Sequence, residues 1–263
     1  MTIPFLKVHL LVMNSSIANK ITNVEDMIIK KIRNTLEEHS DPEEKRKKIH
    51  WEKQYQEKPR IYGIPSPTVR KLSSEFFKKI KKKPKQEIIQ LCNNLLESGY
   101  SEERTIAFDW AFRFRKLYEK SDFHLLESWL MKHVHGWGAC DDLCTHALGA
   151  FIHQFPESIQ KAREWTISEN RWVRRASAVC LIYSVRRKEH LEDVLATADA
   201  LLIDSDIMVQ KGYGWMLKEA SNHYPKEIFN YVMKNRRDMP RTALRYAIEK
   251  LSPEYKAEAM KRE

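Results

Sequence analysis

Glycine is scarce in this chain, seven residues of 263, well under half of the usual ~7 %. That scarcity argues against a glycine-rich β-sandwich and against a Rossmann-type fold with phosphate loops; neither GxGxxG nor GxxxxGK[ST] occurs. Cysteine is rarer still, four residues, too few for a disulfide scaffold at this length and in keeping with thiols in a reducing cytosol. No apolar run approaches the ~18 residues of a membrane span, and strand-like alternation is absent. The opening stretch Ile3-Pro4-Phe5-Leu6 through Met13 is interrupted by Lys7 and His9. It lacks the basic n-region and cleavage site of a signal peptide. Residues 1–26 therefore read as a poorly ordered leader, or as a start placed too early with Met13 or Met27 as the true one. The protein reads as cytoplasmic and not membrane-bound.

What the chain does have is helical periodicity from about residue 20 onward. Ser66-Pro67 and Ser252-Pro253 read as an N-cap followed by proline at the first helical position. Ser101 with Glu102 and Glu103 places an acceptor and negative charge at another helix start. Asp122, Asn170 and Asp206 read as further caps. The helical segments are short and their connections shorter, which favours antiparallel neighbours. Their starts imply a repeat of about 35–40 residues. The predicted fold is all-α: a curved solenoid of antiparallel helix pairs, HEAT-like, over residues 27–263, with a basic concave groove.

Charge and aromatic residues point to a partner. Lys plus Arg number 46 against 36 Asp plus Glu, a net charge of +10, which favours a polyanion. Basic residues cluster at Lys78–Lys85, at Arg171, Arg174 and Arg175 with Arg186-Arg187-Lys188, and at Lys234–Arg245. Arg171, Arg174 and Arg175 share a helix face by their i, i+3, i+4 spacing, a match to a phosphate backbone. Trp110, Trp129 and Trp165 sit at helical spacing among apolar residues and read as core. Trp137, Trp172 and Trp215 instead have charged, small or glycine neighbours. Gly212 and Gly214 would let a backbone or ligand approach beside Trp215.

The stretch Trp137-Gly138-Ala139-Cys140-Asp141-Asp142-Leu143-Cys144 is the sharpest. On a helix opening near Gly138, Trp137 and Asp141 lie one turn apart, a carboxylate beside an indole face and suited to a cation. His135, Cys140, Cys144 and His146 have zinc-ligand chemistry, but the helical spacing turns His146 away. Two small buried cysteines are the better reading; no metal and no cofactor are expected.

These residues resemble the DNA alkylation repair family, the AlkD type of alkylpurine DNA glycosylase with HEAT-like repeats. The landmarks are Tyr62-Gly63-Ile64-Pro65-Ser66-Pro67-Thr68-Val69-Arg70, Glu103 through Arg115, Trp137 through Asp142, Trp172-Val173-Arg174-Arg175-Ala176, and Val209 through Glu219. The resemblance implies excision of N3- and N7-alkylpurines from duplex DNA by a monofunctional glycosylase that needs no partner subunit. It implies Asp141 as the catalytic carboxylate with Trp137 and Trp215 beside it. Arg175, Arg174, Arg171 and Lys211 are then the DNA-binding set. The chain departs from the family pattern where Gly138-Ala139-Cys140 separates tryptophan from aspartate, so Asp142 stands as the alternative carboxylate. The alternative activity is DNA binding without excision, at branched or damaged sites.

Overall fold

In a computed structural model the described residues are 27–53 and 60–261, and the leader assigned to 1–26 lies outside them. They are helical apart from turns and one isolated bridge, Arg60 to Tyr100. None of their helices is long and apolar enough to cross a membrane. The chain divides into two compact units at Ala107/Phe108.

The first unit contains α1 (27–38), α2 (Pro42–Lys53), α3 (Ser66–Ile80), α4 (Lys85–Glu97) and the start of α5 (Ser101–Arg113). Val69, Leu72, Phe76 and Ile80 line one face of α3, and Ile88, Leu91, Cys92 and Leu95 one face of α4; all are buried. Each such side chain contributes about 1.5–3 kcal/mol by leaving water. The lysine run falls where α3 ends and α4 begins, as its composition implies.

Glu102 and Glu103 do more than favour a helix start. Both are fully buried under the segment 62–64. The Glu102 carboxylate accepts from the N–H groups of Tyr62, Gly63 and Ile64 at 3.1–3.2 Å and from Lys48 at 3.1 Å. Glu103 accepts from the Tyr62 hydroxyl at 2.8 Å and pairs with Arg33 at 3.1 Å. Gly63 has φ +92°, and a Cβ there would sit 2.5 Å from the Asp41 carbonyl oxygen, so only glycine fits.

The second unit completes α5 and adds α6 (Asp122–His133), α7 (Trp137–Leu143), a π-helical turn (Cys144–Leu148), α8 (Gly149–Gln154), α9 (Ser158–Glu164), α10 (Arg171–Val179), α11 (Ile182–Val185), α12 (Leu191–Ala200), α13 (Ile207–Ser221), α14 (Pro225–Asn235), α15 (Arg241–Ala247) and α16 (Pro253–Met260). In one layer α7 packs on α10, α10 on α13 and α13 on α15; α12 backs α10 and α13, and α14 backs α13, α15 and α16. Helices opening at Ser66, Ser101, Trp137, Arg171, Ile207 and Arg241 start 34–36 residues apart. That is the short end of the expected repeat, and all-α helical repeats are what the described residues form.

The caps divide. Asn170 accepts from the Trp172 N–H, Asp206 from Met208 and Val209, and Ser252 from Tyr255, all as predicted. Ser66 does not cap: it is the first helical residue of α3, and Pro65 precedes it with no side-chain cap bond. Asp122 likewise starts α6 from inside and accepts from the Glu119 N–H at 2.7 Å. Trp110, Trp129 and Trp165 are buried as expected, but so is Trp172. Its sequence neighbours are charged, yet helical spacing aligns it with Ala176 and Val179 on the buried face of α10.

Candidate active site

The site lies wholly in the second unit and is assembled from α7, α10 and α13. Trp137 opens α7 and is 42 % exposed. A Cβ on Gly138 would meet nothing within 4 Å, so the helix face beside the indole is open. Asp141 follows one turn later with its side chain 19 % exposed. The π turn begins just beyond it, and the Thr145 hydroxyl donates to the Asp141 carbonyl at 2.7 Å.

Arg175 reaches this carboxylate from α10. Its Nε donates to Asp141 Oδ1 at 2.8 Å and its Nη2 to Oδ2 at 3.0 Å, a side-on bidentate pair. Its Nη1 donates to the Met208 carbonyl at the start of α13. With 4 % exposure it is a buried clamp, whereas the sequence reading set it at the phosphates. Gly212 provides the room: a Cβ there would lie 3.0 Å from Arg175 Cγ and 3.3 Å from Nη1.

Burial pushes the Asp141 carboxyl up, the Arg175 guanidinium pulls it back, and the neighbouring Asp142 adds to the rise; the net direction is upward. Burial acts to lower Arg175, but Asp141 outweighs it and keeps the guanidinium charged. The Asp142 carboxylate lies 3.5 Å from His146 Nδ1, and that ring nitrogen is 3.0 Å from the Asp142 carbonyl.

Trp215 sits on α13 three residues beyond Gly212, hence one turn along the face that Arg175 touches. It is half-buried, and its indole N–H donates to Glu219 at 2.8 Å. Glu219 is itself gripped by Arg186 at 2.9 and 3.0 Å. Gly214 admits α15, since a Cβ would be 2.8 Å from the Ala243 carbonyl and 2.7 Å from Tyr246 Cβ. The two glycines beside Trp215 thus serve an arginine and a helix backbone.

The remaining basic candidates differ in their engagement. Arg171 donates to Asp206 at 2.8 Å, and Arg174 to Asp204 at 2.7 Å and to the carbonyls of Ser168 and Glu169. Lys211 makes no ion pair among the described residues and is half-exposed. Cys140, Cys144 and Cys180 are buried behind Asp141. Burial pushes the Cys144 and Cys180 thiols well up, so neither is a poised nucleophile. No group of three or more metal-ligating side chains is disposed to hold an ion among the described residues.

Sequence reasoning marked Gly212 as a point of close approach but not Arg175 as the group that approaches it, and it missed the Met208 carbonyl. The only signal was the glycine itself, placed where a neighbouring helix brings a large side chain.

Comparison with known proteins gives the family and the fold. A family model described as DNA alkylation repair enzyme matches residues 32–251. Among solved structures, a predicted DNA alkylation repair enzyme from Enterococcus faecalis shares the fold with a TM-score of 0.72 at 18 % identity, over 82 % of this chain and 98 % of that one. The structure of smu.31 from Streptococcus mutans UA159 shares it with a TM-score of 0.53 at 17 % identity, over 71 % and 98 %. No curated protein matches.

Proposed function

The chain belongs to the DNA alkylation repair enzyme family, and from that premise we propose that it is a monofunctional glycosylase acting on N3- and N7-alkylpurines in duplex DNA. The observation that carries this reading is the Asp141 carboxylate held side-on by Arg175, one helical turn after the exposed Trp137. A purine alkylated at N3 or N7 is positively charged and leaves without a general acid. What remains is to stabilise an oxocarbenium-like sugar and to direct a water at the anomeric carbon, work that one carboxylate can do.

Arg175 takes one lone pair from each Asp141 oxygen, leaving the others for the water and the sugar. At ~4 Å and an effective dielectric near 20, a carboxylate–cation contact is about 4 kcal/mol, on the order of a thousandfold in rate. Trp137 and Trp215 favour the same cation through their ring faces. Lys211 supplies a phosphate contact on α13, while Arg171 and Arg174 act through their aspartates to fix the loop that opens that helix. Asp142, facing His146, takes no part in the chemistry.

The test is release of free base from duplex DNA carrying N7-methylguanine. Wild type should release it, and Asp141→Asn should slow release at least about a hundredfold while Asp142→Asn does not. Release that survives Asp141→Asn but not Asp142→Asn would move the site by one residue. No release, with salt-dependent DNA binding intact, would leave a DNA-binding protein without excision.

A further inference from the structure

Most arginines around the site are neutralised from within the protein: Arg175 by Asp141, Arg171 by Asp206, Arg174 by Asp204, Arg186 by Glu219 and Arg163 by Asp193. Arg115 and Arg187, also in the second unit, are seated differently. Arg115 lies with its guanidinium carbon 4.2 Å from the Phe112 ring centre and donates to the Phe112 carbonyl at 2.9 Å. Arg187 lies 3.6 Å from the Tyr183 ring centre and donates to the Tyr183 carbonyl. Neither makes an ion pair among the described residues. Each is seated by one ring and one carbonyl, with its charge uncompensated.

The two seats form one patch. The Phe112 ring stands edge-on to Tyr183 at 6.3 Å and to His146 at 5.4 Å. His146 in turn contacts Asp142, the neighbour of the site carboxylate. The carboxylates facing the patch, Asp142 and Glu189, lie against His146 and His153 rather than against the arginines. The turn after Arg187 is strained as well: Lys188 has φ 66° and His190 φ 60°, left-handed conformations that cost roughly 1–2 kcal/mol at a non-glycine residue. Such cost persists where the surroundings impose it, and the Tyr224 hydroxyl holds the Lys188 carbonyl at 2.6 Å.

We propose that Arg115 and Arg187, seated on Phe112 and Tyr183, bind phosphates of the nucleic-acid strand that runs past the Asp141 site. The proposal rests on the DNA reading above and moves the phosphate contacts away from Arg171, Arg174 and Arg175. Guanidinium groups seated over aromatic rings and paired with no carboxylate keep N–H donors for phosphate oxygens. Two uncompensated cations in one patch suit the regularly spaced phosphates of a duplex better than an acidic peptide.

The experiment is equilibrium binding of the full chain to a short, fluorescein-labelled, undamaged duplex across a salt series. Arg115→Gln and Arg187→Gln should each flatten the slope of log affinity against log salt by about 0.9, and the double variant by about 1.8. Arg163→Gln, which removes the same charge from a paired arginine, should leave the slope unchanged. Arg187→Lys should keep most of the slope, because the point charge remains. Thermal unfolding midpoints close to wild type show that the variants fold. A double variant with wild-type slope and affinity would overturn the proposal and leave the patch to another acidic partner. A lost slope in a protein that releases no alkylated base would sustain the phosphate contact and overturn excision alone. Absence of salt-dependent binding by wild type would overturn both.

Discussion

The part-buried Asp141 and the buried Glu102 each have one cationic partner, yet they titrate in opposite directions. Asp141 has Arg175 but no backbone donor on its carboxylate, and burial leaves it above its ordinary value of 3.8. Glu102 is also opposed by burial, but Lys48 and the N–H groups of Tyr62 and Ile64 outweigh it and hold the carboxyl below its ordinary 4.5. The consequences differ in sign. Glu102 contributes stability that is fully present above pH 4.5 and is lost as pH falls through its lower folded value. Glu102→Gln should therefore cost about 3 kcal/mol near neutrality and flatten the fall of the denaturant midpoint below pH 4.5. An acid limb as steep as that of wild type would contradict this. Asp141 binds its proton more readily folded than unfolded, so acid does not loosen the fold through this group; under the proposed function it would instead silence the carboxylate that directs water. Base release should fall with acid at a pH above 3.8, and Arg175→Gln should move that limb further up, which a pH–rate profile reads directly. That Asp141 lies one turn after Trp137 on a helix was legible in the sequence. The clamp was not, because Arg175 lies 34 residues away and only the packing of α7 on α10 joins them.

At the scale of elements, the helix faces and several caps were readable because they depend on neighbours three or four residues away. Asn170, Asp206 and Ser252 cap as their positions imply, while Ser66 and Asp122 fail because the helix begins one residue earlier than the side-chain pattern suggests. How closely two helices approach is not local, and the glycines record it. Gly138 faces open space, Gly212 faces a long side chain, and Gly214 faces backbone. Alanine at Gly138 should stabilise by up to about 1 kcal/mol, the difference in helix propensity. At Gly214 the methyl group would strike the Ala243 carbonyl and force α13 from α15, a cost of about 1–3 kcal/mol that exceeds the propensity gain. Gly212→Ala should be nearly neutral in stability, since a flexible arginine can give way, but should slow base release by shifting Arg175 against Asp141. Denaturant midpoints beside single-turnover rates separate these outcomes. A Gly212 variant that loses stability but not rate would show that the glycine serves packing alone.

For the whole molecule, a repeat was already visible in the starts of the helical segments, read as about 35–40 residues where the structure has 34–36, since caps, prolines and short connections punctuate each pair. The distribution of active charge was not. Spacing marks Arg171, Arg174 and Arg175 as one basic face, and a net charge of +10 makes that face look like a phosphate track. In the folded chain all three guanidinium groups meet aspartates, two of them from the loop that opens α13 and one from α7. Beyond a Debye length of ~8 Å at physiological ionic strength, a phosphate senses little but local uncompensated charge, and around these arginines there is little. The excess positive charge resides instead on cations without such partners, Lys211, Arg115 and Arg187 among them. The joint substitution Arg171→Gln and Arg174→Gln should therefore lower the thermal unfolding midpoint, because it frees Asp204 and Asp206 and loosens the α10–α13 junction. It should leave the salt dependence of duplex binding unchanged. A slope reduced by about 1.8, the value for two lost phosphate contacts, would return both arginines to the DNA and show that their aspartates release them when the strand arrives.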